Sequence, residues 1–402
     1  MKVLVMKAWF AAAAALSVAL PAFAQEPPQD ARKAANGNRP IWTLNVTGFR
    51  KQHAQEGGYT KKWDLNDLPH YRPTRQVAGT LRIWGSNYLK DGPLGQYWAE
   101  AFKKVQPGVT IEYNLPTAGI AVPGLAGKVA DLGVGRPATL MDYLTFEQVF
   151  GYEPTEITAA TGSYDVYGWS PGFIILVHKD NPLTQISMKQ LDGVFGGARL
   201  GGYDRSTWRT DYPYARGPEE NIRTWGQLGL KGEWASKPIH PCGQSPRANI
   251  QTVFQNLVLH GSDQWVEGYR AYANYATPDG KINSWSKQVL AAAESDPLSM
   301  CIASPLALGP NLRELAVQGF GGGPFVKRTL ESVRDRSYPL INEIYFYADK
   351  PPGKAMDPKV EEFLRFVLSQ EGQEEVQHEG RYTPLTAAVV KAQLAKLEPG
   401  AK

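Results

Sequence analysis

The sequence predicts an α/β fold made of two similar lobes. Residues 80–84 alternate as a β-strand does, residues 85–87 have turn composition, and apolar side chains recur at helical spacing over 94–105. The same order of strand, glycine-containing polar loop and helix returns at 239–258. Because the two stretches share an architecture without a repeat of fixed period, they indicate two similar lobes, each presenting the start of a helix.

Polar residues follow three strands of the first lobe. Strands and helical segments alternate in β-α-β-α-β order between residues 80 and 135. Right-handed crossovers place the strand ends on one edge of a parallel sheet, where open α/β sheets bind ligands. The residues at these ends are Ser86, Thr117 and Arg136. The alternative is that each belongs to an ordinary α/β turn.

Later elements follow from the same patterns. Ser187 is predicted to cap a helix over 188–195, and the long polar, aromatic stretch 196–232 has no clear period. A loop of that length inside a domain is usually functional or poorly ordered. Further strands are predicted at 157–162, 173–177, 300–303, 315–318 and 343–347, and further helices at 286–294, 357–368, 372–376 and 386–397.

The chain begins with the pattern of a cleaved signal peptide over residues 1–24. Lys2 and Lys7 precede the apolar run 8–20, and small residues flank Phe23 before Gln25. The alternative is a buried N-terminal helix. No later stretch approaches about 18 uncharged apolar residues, so we expect an exported, soluble, periplasmic protein. Residues 25–78, rich in Pro, Gly, Asn, Lys and Gln, are predicted to form a linker and an irregular extension.

The charge balance gives no indication of a nucleic-acid partner. The formal net charge is +4, and removal of Lys2 and Lys7 lowers it to +2. This charge is too small to indicate nucleic acid or an anionic membrane, and no nucleic-acid-reading motif is present. The two cysteines, Cys242 and Cys301, follow short apolar segments. The sequence leaves open whether they form a disulfide, since it does not supply their Cα separation.

Four segments resemble the phosphate-binding proteins of bacterial ABC importers, which are type II periplasmic solute-binding proteins. The segments are 80–105; Ala130-Asp-Leu-Gly-Val-Gly135; 178–183 with 188–195; and Tyr338-Pro-Leu followed by 345–347, 350–354, 357–359, 363–369 and 371–373. The resemblance runs from about residue 79 to 385. It implies two Rossmann-like lobes joined by two hinge strands, with a ligand in the cleft between them.

The resemblance also implies lobe boundaries and a ligand-binding set. Lobe one would comprise 79–167 and 338–402, and lobe two would comprise 168–337, with crossings near 167–172 and 336–341. The implied ligand-binding residues are Ser86, Asn87, Tyr88, Thr117, Arg136, Gln244, Ser245 and Arg247. Several depart from the family pattern: Asn87-Tyr88 replaces Thr-Phe, and Thr117 stands near a Ser position. Gln244 replaces Arg, and Ala248-Asn249-Ile250 replaces Ser-Gly-Thr.

The most consequential departure is Arg136, which replaces an aspartate. Such an aspartate accepts a hydrogen bond from the O–H group of hydrogen phosphate and repels anions that carry no proton. An arginine offers only donors, so it would keep the site attractive to anions while removing the discrimination of phosphate from sulfate. Alternatively, Arg136 points outward or pairs with a local acid. Gln244, Ser245 and Arg247 have the alternative role of capping the helix that follows.

The leading hypothesis is a monomeric, exported solute-binding protein that closes on phosphate or another small oxyanion and delivers it to an ABC transporter permease. The second is a sensor or interaction protein with an unrelated ligand, motivated by the substituted site and the N-terminal extension. The third, an enzyme, has little support. The six histidines lack metal-ligand spacing, and no Gly-x-Ser-x-Gly or P-loop motif occurs. We expect no cofactor and no metal.

Overall fold

The computed structural model describes residues 58–166, 170–246, 248–279, 282–305 and 308–398. The predicted signal peptide, residues 25–57 and Arg247 lie outside the described residues. The elements up to residue 195 are β1 (Gly79–Gly85), α1 (Tyr88–Asp91), α2 (Leu94–Val105), β2 (Val109–Asn114), α3 (Ala121–Ala126), β3 (Leu132–Gly135), α4 (Leu140–Phe150), β4 (Thr155–Thr161), β5 (Ile174–His178), β6 (Gln185–Ser187) and α5 (Met188–Phe195).

The remaining elements complete the second half of the chain. They are β7 (Gly202–Asp204), β8 (Thr207–Arg209), β9 (His240–Gln244), α6 (Asn249–Val258), β10 (Arg270–Tyr272), β11 (Tyr275–Ala276), β12 (Ile282–Asn283), α7 (Trp285–Ser295), β13 (Ser299–Ala303), β14 (Leu312–Glu314), β15 (Ala316–Gly319), β16 (Gly322–Val326), α8 (Leu330–Arg334), β17 (Glu343–Ala348), α9 (Pro358–Val367), α10 (Gln370–Glu379) and α11 (Ala387–Ala395). Short 3₁₀ turns lie at Ala118–Ile120, Pro218–Glu220, Trp225–Leu228 and Gly232–Trp234.

Two five-stranded sheets have the same pattern of strand directions. The first has the order β2-β1-β3-β17-β4, and the second has the order β10-β9-β13-β5-β14. In each, the first three strands are parallel and the fourth is antiparallel to both neighbours. The predicted two-lobed α/β fold is therefore confirmed. The predicted lobe boundaries stay a prediction.

Both faces of each sheet are covered, as expected for largely parallel sheets. On the first sheet, Trp98 and Phe102 of α2 pack with Phe363 of α9, while α3 and α4 form a separate buried cluster that includes Phe146. The second sheet buries Phe254 of α6 in one cluster and α7 in another. These cores fix the strand ends, and with them the loops that could bind a ligand.

The segments that connect the two sheets lie side by side. Phe173 N donates to Leu340 O at 2.9 Å, and Gly162 N donates to Asn342 O, also at 2.9 Å. A Cβ atom at Gly162 would lie 1.9 Å from Ser170 O, so the close approach of these chains requires glycine. Residues 167–169, within the first predicted crossing, lie outside the described residues.

The described part of the N-terminal extension packs on the first sheet. Leu65 and Leu68 are buried in its core. Glu362, itself fully buried, accepts hydrogen bonds from Tyr71 Oη at 2.7 Å and from Thr74 N at 3.0 Å. Because a buried carboxylate is stable only with donors around it, these bonds tie the extension to α9.

The stretch 196–232 is ordered by a buried ion cluster. It contains β7, β8 and the 3₁₀ turns Pro218–Glu220 and Trp225–Leu228 rather than one irregular loop. Arg199 pairs with both carboxylate oxygens of Asp192 at 2.7 Å, and Arg216 Nε lies 3.4 Å from Asp192 Oδ2. The side chains of all three are almost fully buried. The sequence patterns missed this order because it depends on charges that meet only in the folded chain.

Candidate functional site

The end of β1 turns sharply into the short helix α1. Gly85 has φ of 146°, and a Cβ atom there would lie 1.9 Å from Val134 O. Glycine therefore permits Ser86 N to donate to Val134 O at 2.8 Å. The buried hydroxyl of Ser86 accepts a bond from Tyr88 N at 3.3 Å. Ser86 thus lies at the carboxyl edge of the sheet, as its position in the sequence predicts.

The neighbouring candidates have different surroundings. The Asn87 side-chain amide donates to the Asp91 carboxylate within α1. Tyr88 is half-buried against the first core. Thr117, which follows β2, is exposed and has the extended conformation that precedes a 3₁₀ turn. Its hydroxyl makes no capping bond to that turn. Their roles as ligand-binding residues stay predictions.

Arg136 forms an ion pair with a local acid. Its Nη1 lies 2.9 Å from Asp142 Oδ2 and donates to Pro137 O at 2.7 Å. Asp142 also accepts from Thr139 N and Oγ1, both at 2.8 Å, as part of the capping box of α4. The alternative in which Arg136 pairs with a local acid therefore holds for the Nη1 atom of its guanidinium group. The buried Nε of Arg136 has no hydrogen-bond partner in the described residues.

The backbone of Arg136 contacts a cluster formed by two tyrosines and Glu156. Tyr347 Oη donates to Arg136 O at 2.8 Å and lies 3.1 Å from Glu156 Oε2, which Tyr143 Oη approaches at 3.2 Å. Burial raises the pKa of Tyr347 well above its ordinary value, so its hydroxyl remains a donor. Sequence patterns missed this cluster because strand periodicity marks tyrosines as core residues and does not show what their hydroxyls contact.

In the second sheet, Gln244 is the last residue of β9 rather than part of the predicted turn. Its carbonyl accepts from Tyr269 Oη at 2.7 Å, and its side-chain Oε1 is buried with no partner in the described part of the chain. Ser245 N donates to Tyr272 O at 2.8 Å, and Ser245 O accepts from Ala248 N at 2.9 Å. Their predicted ligand-binding roles also stay predictions.

The cysteines lie on adjacent strands of the second sheet. Cys242 of β9 and Cys301 of β13 are direct partners in the parallel register, with Cα atoms 4.4 Å apart. Their sulfur atoms are joined in a disulfide. The bond closes a loop between residues 59 positions apart in the sequence. Both residues are fully buried beneath α7.

The two lobes touch across the cleft. Asn256 Nδ2 of α6 donates to Ala138 O at 3.3 Å. Glu153, after α4, accepts from Ser206 N at 3.0 Å and from Ser206 Oγ at 2.6 Å, and its Oε2 lies 3.2 Å from Arg205 Nη1. Residues 205 and 206 form the turn between β7 and β8. The β7–β8 hairpin of the second lobe therefore reaches the first lobe.

Within the described ranges, no three His, Cys, Asp or Glu side chains come together as a metal site would require. Among those residues there is also no helix long and apolar enough to cross a membrane.

Two α/β sheets with the same pattern of strand directions, joined by paired segments, have the architecture of a two-lobed binding protein. The chain belongs to the PBP superfamily domain family, whose model matches residues 72–371. The predicted family resemblance is thereby confirmed.

Curated relatives carry a more specific name. The chain is 29% identical over 331 residues to proteins named phosphate-binding protein PstS in Pseudomonas aeruginosa strains PAO1 and UCBPP-PA14, covering 82% of this chain and 90% of each relative. Among solved structures, PstS from Borrelia burgdorferi is 15% identical, with a TM-score of 0.46, and covers 76% of this chain and 99% of its own. A phosphate-bound substrate-binding protein from Clostridium perfringens is 17% identical, with a TM-score of 0.41, and covers 77% and 100%.

Proposed function

We propose that the mature protein is a periplasmic solute-binding protein that closes its two lobes around phosphate or a similar oxyanion and delivers it to an ABC importer. The observation that carries the proposal is the buried Nε of Arg136, which lacks a partner among the described residues at the carboxyl edge of the first sheet. Anions bind where an arginine N–H group and the unpaired backbone N–H groups of a helix start point at the same place, because both donate hydrogen bonds to a negatively charged oxygen. The name of the curated Pseudomonas aeruginosa relatives also supports it.

Closure would strengthen this binding. The contacts between the lobes shut out water, and hydrogen bonds act more strongly at low local dielectric constant. The closed form would be the state that a membrane permease recognises, and ligand would shift the population toward it. We further propose that the protein acts as a monomer without nucleic acid, and that it binds its ligand without turnover. The curated relatives are likewise named as binding proteins.

Calorimetric titration of the mature protein tests the proposal directly. The protein is unfolded, dialysed and refolded to remove bound ligand, and phosphate and sulfate are titrated separately at neutral pH. We expect both to bind with similar affinity, because Arg136 and Gln244 provide no carboxylate that would reject sulfate. Circular dichroism confirms refolding. If neither phosphate nor sulfate binds to the folded protein, the proposal is contradicted.

A role in sensing, without transport, is the second candidate. The replacement of Asp by Arg136 and of Arg by Gln244 favours it, since a changed ligand set suits a changed role. Uptake of radiolabelled phosphate by cells that lack the gene distinguishes the two. Reduced uptake that returns on complementation supports transport, whereas normal uptake with altered phosphate-dependent gene expression supports sensing.

A further inference from the structure

A cavity of about 300 Å³ lies between the lobes and is lined on one side by Ala138 and Thr139, which follow Arg136 in the chain. Its wall in the first lobe is the start of α4 with Tyr143, and its wall in the second is one side of α6 with the β7–β8 hairpin. The volume is at the lower end of the roughly 300–1,000 Å³ typical of small-molecule pockets. The residues used below are Thr139, Tyr203, Tyr214, Thr252, Asn256 and His260.

The hairpin contact forms one side of this cavity. Arg205, which lines it, pairs with Glu153 and places its guanidinium group 5.2 Å from the centre of the Tyr143 ring. Asn256, on the opposite wall, donates to Ala138 O and so joins the lobes at a second point. A molecule in the cavity would therefore contact both lobes and stabilise the closed form.

The lining is polar, but its charges are compensated. Arg205 pairs with Glu153, and Asp204 lies 3.3 Å from Arg209. The remaining lining includes tyrosine rings, side-chain amide groups, two threonines and the apolar residues Ala138, Leu140 and Met141. Aromatic faces beside hydrogen-bonding side chains suit an uncharged group that carries both C–H and O–H bonds.

His260 lines this cavity and carries an unused hydrogen-bonding atom. Its Nε2 is buried and has no partner among the described residues. Its ring centre lies 5.6 Å from that of Tyr214 and 4.4 Å from that of Phe320. Burial lowers the pKa of His260 to about 4, so the ring is neutral at pH 7 and can hydrogen-bond a hydroxyl group. His260 also has φ of 51°, a strained conformation that concentrates at functional sites.

The helices that line the cavity also carry the predicted oxyanion site. Arg136 precedes α4 by a few residues, and Gln244 and Ser245 precede α6. Thr139 lies at the start of α4, and Thr252 lies one turn inside α6. Arg136 Nη1 and Thr139 Oγ1 both bond Asp142 Oδ2, so a group attached to an oxyanion held by Arg136 would lie next to the wall of the cavity that Thr139 lines.

We propose that this cavity is a subsite for a hydroxylated organic group attached to the oxyanion, so that the preferred ligand is a phosphate monoester of a small polyol or sugar. The inference rests on the proposed function, because it places the phosphate group of the ester at the predicted oxyanion site.

Calorimetry with inorganic phosphate, glycerol 3-phosphate and glucose 6-phosphate tests this inference on the ligand-free mature protein. We expect at least one ester to bind about tenfold more tightly than inorganic phosphate, because its hydroxyl groups add hydrogen bonds to the lining of the cavity. Esters that bind no more tightly than phosphate overturn the inference and leave the proposed function standing. Absence of binding by all three ligands in folded protein overturns the proposed function as well.

Two variants locate the subsite. His260→Ala and Thr252→Val are expected to weaken the tighter-binding ester at least fivefold while changing the affinity for inorganic phosphate less than twofold. The exposed His378→Ala is the matched control and should change neither. The more conservative Thr252→Val keeps the test valid if His260→Ala unfolds. Equal losses for ester and phosphate in a folded variant would overturn the subsite, because they would indicate a general effect on closure.

Discussion

The carboxylate of Glu153 in the first lobe accepts two hydrogen bonds from Ser206 in the second, one from the backbone amide at 3.0 Å and one from the hydroxyl at 2.6 Å. Opening of the cleft would have to break both bonds, together with the ion pair to Arg205. Charge-assisted hydrogen bonds contribute about 1.5–3 kcal/mol each when partly shielded from water. This contact therefore favours the closed form.

Loss of this carboxylate should accelerate ligand release. In Glu153→Ala we expect the dissociation rate of bound phosphate, measured by stopped flow, to rise about tenfold, which corresponds to about 1.4 kcal/mol. Glu112→Ala removes an exposed carboxylate from edge strand β2 and is the control. An unchanged rate in Glu153→Ala would show that the hairpin contact does not oppose opening.

The ion pair between Arg136 and Asp142 leads us to expect opposite changes in anion affinity when each residue is replaced. Arg136→Ala should weaken phosphate binding severalfold, because it removes the donor predicted to face the anion. Asp142→Asn should strengthen binding, because it leaves the charge of Arg136 uncompensated while an amide oxygen can still accept from Thr139. Calorimetry at low ionic strength measures both affinities. If neither variant changes them, Arg136 has only a structural role.

The disulfide should contribute strongly to stability. A loop between cysteines 59 positions apart corresponds to about 4 kcal/mol of lost chain entropy in the unfolded state. We expect urea unfolding of Cys242→Ala/Cys301→Ala to show a loss of that order. Dithiothreitol should destabilise the wild type and leave the double variant unchanged. Equal stability of the two proteins without reductant would contradict the prediction.

His260 predicts a specific pH dependence of stability. Burial lowers its pKa from 6.5 to about 4; Asp192 acts in the opposite direction, and Arg199 adds to the lowering. The unfolded chain therefore takes up a proton below about pH 6.5, whereas the folded protein does so only near pH 4. The contribution of His260 to the free energy of unfolding is complete above pH 6.5 and is lost as the pH falls toward 4.

Urea titrations between pH 7 and 4 measure this effect. His260→Gln should show a shallower loss of stability with falling pH than the wild type, and the exposed His378→Gln should match the wild type. Parallel curves for His260→Gln and the wild type would show that burial of His260 does not perturb its titration.

The local parts of the structure could be predicted from sequence, whereas contacts between distant segments could not. Strand alternation and helical spacing identified the strand that ends just before Ser86, because these signals depend on neighbouring residues. The capping box of Thr139 and Asp142 is also a sequence pattern, and it could have indicated the acid beside Arg136. The pairing of Glu153 with Ser206 had no such signal, since it depends on how the two lobes close.

The strand order also determines when each sheet can be completed. All five strands of the second sheet lie between residues 174 and 314, whereas the first sheet needs β17 to fill the place between β3 and β4. During synthesis from the N-terminus, β4 would therefore lack its sheet neighbour β17 until almost the whole chain had emerged. We infer that an mRNA truncated before the codon for residue 343 yields a polypeptide whose second sheet is complete and whose first sheet has an open edge. Such an edge readily pairs with other chains, so quality-control proteases and chaperones would recognise the shortened product.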